Sequence, residues 1–247
     1  MSGIHKRVGQ VRKPDKEMTI EILHGADAIL EEQWSGARTI SKKKRIAEMG
    51  TWFSAGFCTG LRGEEMLNIE LAGTANSIKH LGDLVNPHFK FVLLGRTKAN
   101  QLSGAKFGVP CVPITSGTNL RPGRWVKRLV ETLHTKGHRS GRLFSQKLVT
   151  AKMHEFEDDF FTVLEKVQAT TSFIDADVDV QESFGIGWSS RRGVTAHARN
   201  IEVPVELLNA VNRWRTEATS VTGNPRLDMM DVYTTWLPTV LRFLRAL

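Results

Sequence analysis

The sequence predicts a mainly α-helical protein of the α+β class, with helices packed around a small antiparallel β-sheet. Two patterns carry that expectation. Apolar residues recur at helical spacing in the first and last parts of the chain, and between them lie short runs rich in Ile, Val, Leu and Phe, broken by Gly, Asn and Ser. Composition makes a packed core feasible: of 247 residues, 40% are hydrophobic and 24% charged, too little bias for disorder and enough for one large domain or two small ones.

Residues 1–16 hold Lys, Arg, Gly and Pro without hydrophobic periodicity and read as a basic arm or linker, leaving 17–247 as the folded unit. Thr19 is a suitable N-cap for a helix around Ile20 to Leu30. Met49, Phe53 and Phe57 follow Ile46 at helical spacing, and Gly60 supplies a stop before a second helical start at Leu61. Between Asn68 and Thr115, strands are expected over Ile69 to Leu71, Phe89 to Leu94 and Val109 to Ile114, the last two joined by the polar turn Arg96 to Gly104. Helices resume with Trp125, Leu129 and Leu133 after Pro122, and again with Met153, Phe156, Phe160, Val163, Leu164 and Val167. Ser172 to Gly187 is acidic and irregular and leads to Trp188-Ser189-Ser190-Arg191-Arg192-Gly193, with a helix expected over Val194 to Asn200. Trp236, Leu237, Val240, Leu241, Leu244 and Leu247 form the apolar stripe of a tail helix.

Lys+Arg number 34 and Asp+Glu 26, a net charge of +8 that favours a polyanionic partner, although solubility alone also accommodates it. No eighteen-residue apolar run occurs and the basic N-terminus has no apolar signal core, so an intracellular protein without a membrane span or secretory signal is expected. The two cysteines, Cys58 and Cys111, sit among apolar neighbours without metal-ligand spacing and read as core thiols.

Three features stand out chemically. Thr59-Gly60-Leu61-Arg62, followed by Glu64 and Glu65, puts an arginine just after a glycine corner, where it can fork onto phosphate oxygens or pair with one of those carboxylates. Arg191 and Arg192 are adjacent, so one can face inward and the other outward, and the six residues around them include no acid. Tyr233, the single tyrosine, precedes the apolar tail, and a packing role with its hydroxyl satisfied is the plainer reading of it.

Arginine, arginine and tyrosine in this order, with Lys98 in the sheet turn between the arginines, resemble the catalytic domain of the tyrosine recombinase (phage integrase-like) family. Thr59-Gly60-Leu61-Arg62 with Glu65 is similar to the family's first arginine box, and Arg191 to the second, in a Ser-x-Arg-Arg-Gly form. Asn212-Arg213-Trp214 resembles the box that carries His or Trp, and Tyr233 stands where the family keeps its nucleophile. Lys106 is a rival to Lys98 for the catalytic lysine. The resemblance spans about Lys16 to the C-terminus. Two departures mark it: Trp188 stands three positions before Arg191, where most members have a histidine, and the interval from Trp214 to Tyr233 is long, with Gly223-Asn224-Pro225 inside it. On this resemblance, the basic linker is expected to stand in place of the family's separate N-terminal core-binding domain.

The resemblance implies a mainly helical fold of the recombinase catalytic type and a transesterification on double-stranded DNA. Tyr233 would attack a phosphodiester and leave a 3′-phosphotyrosine, in integration or excision of a mobile element, with neither metal nor cofactor. Arg62 and Arg191 would hold the phosphorane oxygens, Trp214 would donate its indole N–H, and Lys98 would protonate the departing 5′ oxygen. His197 is a weak candidate for the base acting on Tyr233. Phosphate contacts are expected from Lys42, Lys43, Lys44, Arg45 and Arg192, with Lys6 and Arg7 of the linker, although Ser41 to Arg45 reads equally well as a solvated helix end. The tail helix would support self-association on DNA. Location would be nuclear in a eukaryote and cytoplasmic in a prokaryote. Alternatives are a catalytically impaired DNA-binding protein of recombinase ancestry and a topoisomerase-like activity.

Overall fold

The structure is a computed structural model that describes residues 16–67, 69–72, 77–80, 89–94, 106–111, 115, 117–144, 153–205 and 208. Those residues are mainly helical. Helix α1 (Ile20–Gly36) begins where Thr19 accepts the Ile22 backbone N–H at 3.3 Å, and it runs a turn and a half beyond Leu30 because no residue there stops it. Helix α2 (Ile40–Gly50) starts in the same way, with Thr39 accepting the Lys42 N–H at 3.2 Å.

The apolar stripe Ile46, Met49, Phe53 and Phe57 does not lie on one uniform helix. A π-helical turn over Thr51–Ala55 widens the coil before α3 (Gly56–Thr59), shifting which side chains face the core. Gly60 ends α3 in the left-handed region, φ 59°, a conformation glycine adopts without Cβ strain. The next helix, α4 (Gly63–Leu67), begins two residues later than the sequence predicts and is a single turn.

Between α4 and α5 (Pro122–Thr135) lie β1 (Glu70–Ala72), β2 (Ser77–His80), β3 (Phe89–Leu94) and β4 (Lys106–Cys111), with β5 (Gly141–Arg142) after α5. Their backbones pair in the order β4-β3-β2-β1-β5. The β3–β4 ladder is antiparallel from Phe89 opposite Cys111 to Leu94 opposite Lys106, whereas β1 meets β2 in parallel at Glu70 and Ser77, which departs from an all-antiparallel arrangement. Strand β4 starts at Lys106 rather than Val109, and β2 and β5 carry too few apolar residues to be found from sequence. The turn Arg96 to Gly104 lies outside the described residues.

Helix α6 (His154–Thr170) buries Phe156, Phe160, Val163, Leu164 and Val167, the stripe read from sequence. The core joins it to α1, α2 and the π turn. Trp52 stacks on Phe156 at 5.8 Å and meets Phe144 edge-on at 5.2 Å, while Phe53 stacks on Phe160 at 5.0 Å. Gly50 leaves room for the Trp125 indole of α5, whose ring occupies the place a Cβ would take. On the outer side of α5, the Arg128 guanidinium lies 4.8 Å from the Trp34 ring and 4.7 Å from Trp125 and bonds Glu31 at 2.6 Å, which clasps α5 to α1.

After the short α7 (Val180–Ser183), α8 (Ser189–Asn200) starts five residues earlier than the sequence suggests, so both arginines are helical. The segment before α1 runs along its first turns: the Met18 N–H donates to Ser189 O at 3.1 Å, and Ser189 Oγ donates to Lys16 O at 2.8 Å. Lys16 thus belongs to the folded unit. No helix among the described residues is long and apolar enough to cross a membrane.

Candidate functional site

The two arginine boxes meet. Arg191 is 6% exposed, and its Nη1–H donates to the carbonyl oxygen of Gly60 at 2.9 Å. Gly60 is two residues before Arg62, so the first turn of α8 is fastened to the corner that carries the other arginine. A second contact reinforces this: a Cβ on Gly63 would stand 2.9 Å from Gly187 Cα, a spacing that only glycine permits. A third is the Trp52 indole, which donates to Ile186 O at 2.9 Å and holds the loop before α8 against the π turn.

Arg62 is half-buried and serves as the N-terminal cap position of α4. Its backbone N–H donates to Glu65 Oε2 at 2.8 Å, the returning half of a capping box, and its Nη1–H reaches Glu65 Oε1 at 3.3 Å. The local ion pair that the sequence left as one reading is therefore present. It is long, and about a quarter of the side chain remains exposed. One turn is too short to lend Arg62 a helix-dipole field, so anion affinity at this corner would have to come from the guanidinium itself.

Arg192 is exposed while Arg191 is buried, the inward and outward split anticipated for adjacent helical residues. Trp188, at the position before α8 where the resemblance leads one to look for histidine, is 46% exposed. An indole N–H donates hydrogen bonds but accepts no proton. Beside Arg191, Ser190 is 6% exposed and its Oγ has no hydrogen-bond partner.

His197 is elsewhere. Six residues after Arg191, it is turned roughly 120° around α8 and lines a polar cavity of ≈ 440 Å³ with Glu21, His24, Thr118 and Asn119. Burial holds its imidazole below the ordinary histidine range, with Glu21 opposing that shift. The candidacy of His197 as a base beside the arginines has no support in this placement.

The basic run of α2 requires correction. Of its four cations Lys42 is exposed, and Lys43 is half-buried with its ammonium over the Trp34 ring at 5.4 Å. Lys44 is buried and donates to Glu48 at 2.6 Å. Arg45 pairs with Asp159, donates to Glu155 O at 2.6 Å and covers the Phe156 ring at 5.3 Å. A local charge run could not reveal this, because α6 supplies the partners of Arg45 from more than a hundred residues away. Lys44 and Arg45 are thus engaged by partners within the protein.

Lys98, Trp214 and Tyr233 lie outside the described residues, as does the tail from Trp236 to Leu247. Lys106 opens β4, opposite Leu94. Cys58 is buried and its thiol is pushed up to about 12 by desolvation, which suits a packing role and neither a nucleophile nor a ligand. Among the described residues, no three His, Cys, Asp or Glu side chains are grouped so as to hold a metal ion. No family profile, curated protein or solved structure matches the chain.

Proposed function

We propose that this chain cleaves and rejoins DNA as a tyrosine recombinase, with helices around a small sheet forming a catalytic domain of that type. The observation that carries the reading is the bond from Arg191 to the Gly60 carbonyl, which gathers two arginine boxes separated by 131 residues. Two permanently charged forks carried on adjoining turns suit the non-bridging oxygens of a phosphodiester, whose negative charge grows as a fifth oxygen approaches phosphorus.

In this reaction the Tyr233 oxygen forms a bond to phosphorus while the bond to the 5′ oxygen breaks. The phenolic proton leaves to a base or to solvent, and the 5′ oxygen takes a proton from Lys98. The 3′-phosphotyrosine keeps the phosphoester energy, and a 5′-hydroxyl reverses the step on the same or another strand. The apolar stripe from Trp236 to Leu247 would join neighbouring copies on DNA. The compartment is that of the substrate DNA, the nucleus in a eukaryote and the cytoplasm in a prokaryote.

Trp188 favours a second reading, a DNA-binding protein of recombinase ancestry that no longer cleaves, because nothing at that position can move a proton. The two separate on a denaturing gel of wild-type and Tyr233→Phe proteins incubated with pooled nicked duplexes. A slow-migrating adduct that requires Tyr233 establishes the enzyme. Salt-sensitive binding without an adduct favours the binding protein, and absence of both counts against DNA altogether.

A further inference from the structure

The two arginine-bearing turns share a third neighbour, Met153, the residue that precedes α6. A Cβ on Gly63 would stand 2.9 Å from both Sδ and Cε of Met153, and a Cβ on Gly187 would stand 2.9 Å from the same sulfur. The thioether therefore lies against both glycines at once, along the seam where the backbones of residues 63 and 187 approach each other. Gly63 follows Arg62 directly, and Gly187 opens the turn that leads through Trp188 to Arg191. Met153 is half-buried and packs against the core.

The Arg191 to Gly60 bond and the close approach of the two glycine backbones lie beside Met153. A body wedged against both turns resists their sliding along each other. An unbranched, polarisable side chain adapts to an irregular gap between two bare backbones, where a polar one fits less well.

We propose that Met153 is a positioning residue that sets the separation of Arg62 and Arg191, and this rests on the recombinase reading above. Holding two charged groups at a fixed spacing acts on the reacting phosphate and not on the rest of the duplex, so its loss should appear in the rate of cleavage and leave affinity alone.

The test uses the full chain with Met153→Ala, Met153→Leu and Met153→Val, and pooled nicked duplexes as the probe. Duplex binding is measured beside the rate of adduct formation at saturating protein, and far-UV circular dichroism reports the fold. The expected result is a rate about tenfold lower or more in Met153→Ala, unchanged binding, and recovery of most of the rate in Met153→Leu. Met153→Val, which refills part of the gap, should fall between them and carries the comparison if the alanine variant does not fold. An unchanged rate in a folded alanine or valine variant overturns the inference alone. So does a rate that falls only in proportion to binding. A wild-type protein that binds the duplexes without forming an adduct overturns the recombinase reading and this inference with it.

Discussion

The guanidinium of Arg191 and the carbonyl oxygen of Gly60 are joined at 2.9 Å inside the protein, one end in α8 and the other at the corner before α4. Arg191→Ala leaves that acceptor without its charged donor in a site closed to most water. A loss of about 1–3 kcal/mol is expected in urea unfolding. Arg191→Lys restores the charge but not the planar fork and should keep most of that loss.

Gly193 faces the Met18 carbonyl, whose oxygen occupies the space a Cβ would need. Gly193→Ala must push the segment before α1 off α8, and a loss of about 1–3 kcal/mol or more is expected. Proteolysis near Lys16 should accelerate in parallel. At Gly36, the last residue of α1, a Cβ would meet nothing within 4 Å, so Gly36→Ala should leave stability unchanged or raise it by up to about 1 kcal/mol. Thermal melting of the two variants checks both signs.

Lys44 and Glu48 form a buried pair in which one carboxylate oxygen, Oε2, has no hydrogen-bond partner. Burial pushes the Glu48 carboxyl up against the pull of Lys44, so the charged form is poorly supported. Lys44→Met alone should cost about 3–5 kcal/mol, because it strands the acid. Replacing both residues by methionine should bring stability back to within about 1 kcal/mol of the wild type or above it. Chemical denaturation of the two proteins distinguishes them.

The pH dependence near His197 has a definite sign. Its folded imidazole is held below the ordinary value by burial, so in acid the unfolded chain takes up a proton that the folded protein resists. That part of the stability is intact above about pH 6.5 and declines as pH falls below it. His197→Asn should flatten the dependence between about pH 6.5 and 5. Glu21, held below the usual carboxylate range chiefly by backbone hydrogen bonds, adds a second decline only in stronger acid. Melting temperatures across about pH 3–8 read both.

What could be read from the sequence was local. Thr19 as a cap, Gly60 as a stop, Pro122 at the start of α5 and the apolar stripe of α6 are each decided within a turn or two of the chain, and the folded protein has them. Features settled by distant partners were hidden. Lys44 and Arg45 read as a solvated or DNA-facing run because neither Glu48's burial nor the arrival of Asp159 is written in their neighbourhood. The π turn escaped notice because widening a helix by one residue barely alters an apolar pattern. For the arginines, spacing and residue type named both positions, but only the long-range contact between Gly60 and Arg191 brings them together, and only the bare glycines at 63 and 187 reveal how closely their turns meet.

The fastening of Lys16 and Met18 to Ser189 has a mechanical consequence. Tension applied to the chain ahead of residue 16 is shared between the end of α7 at Ser183, which accepts the Lys16 N–H at 3.0 Å, and the opening turn of α8 at Ser189, two residues from Arg191. A tether attached at that end would work as a lever on the arginine pair, whereas the same tether on the exposed end of α1 at Gly36 would pull on the helical scaffold and leave the pair undisturbed.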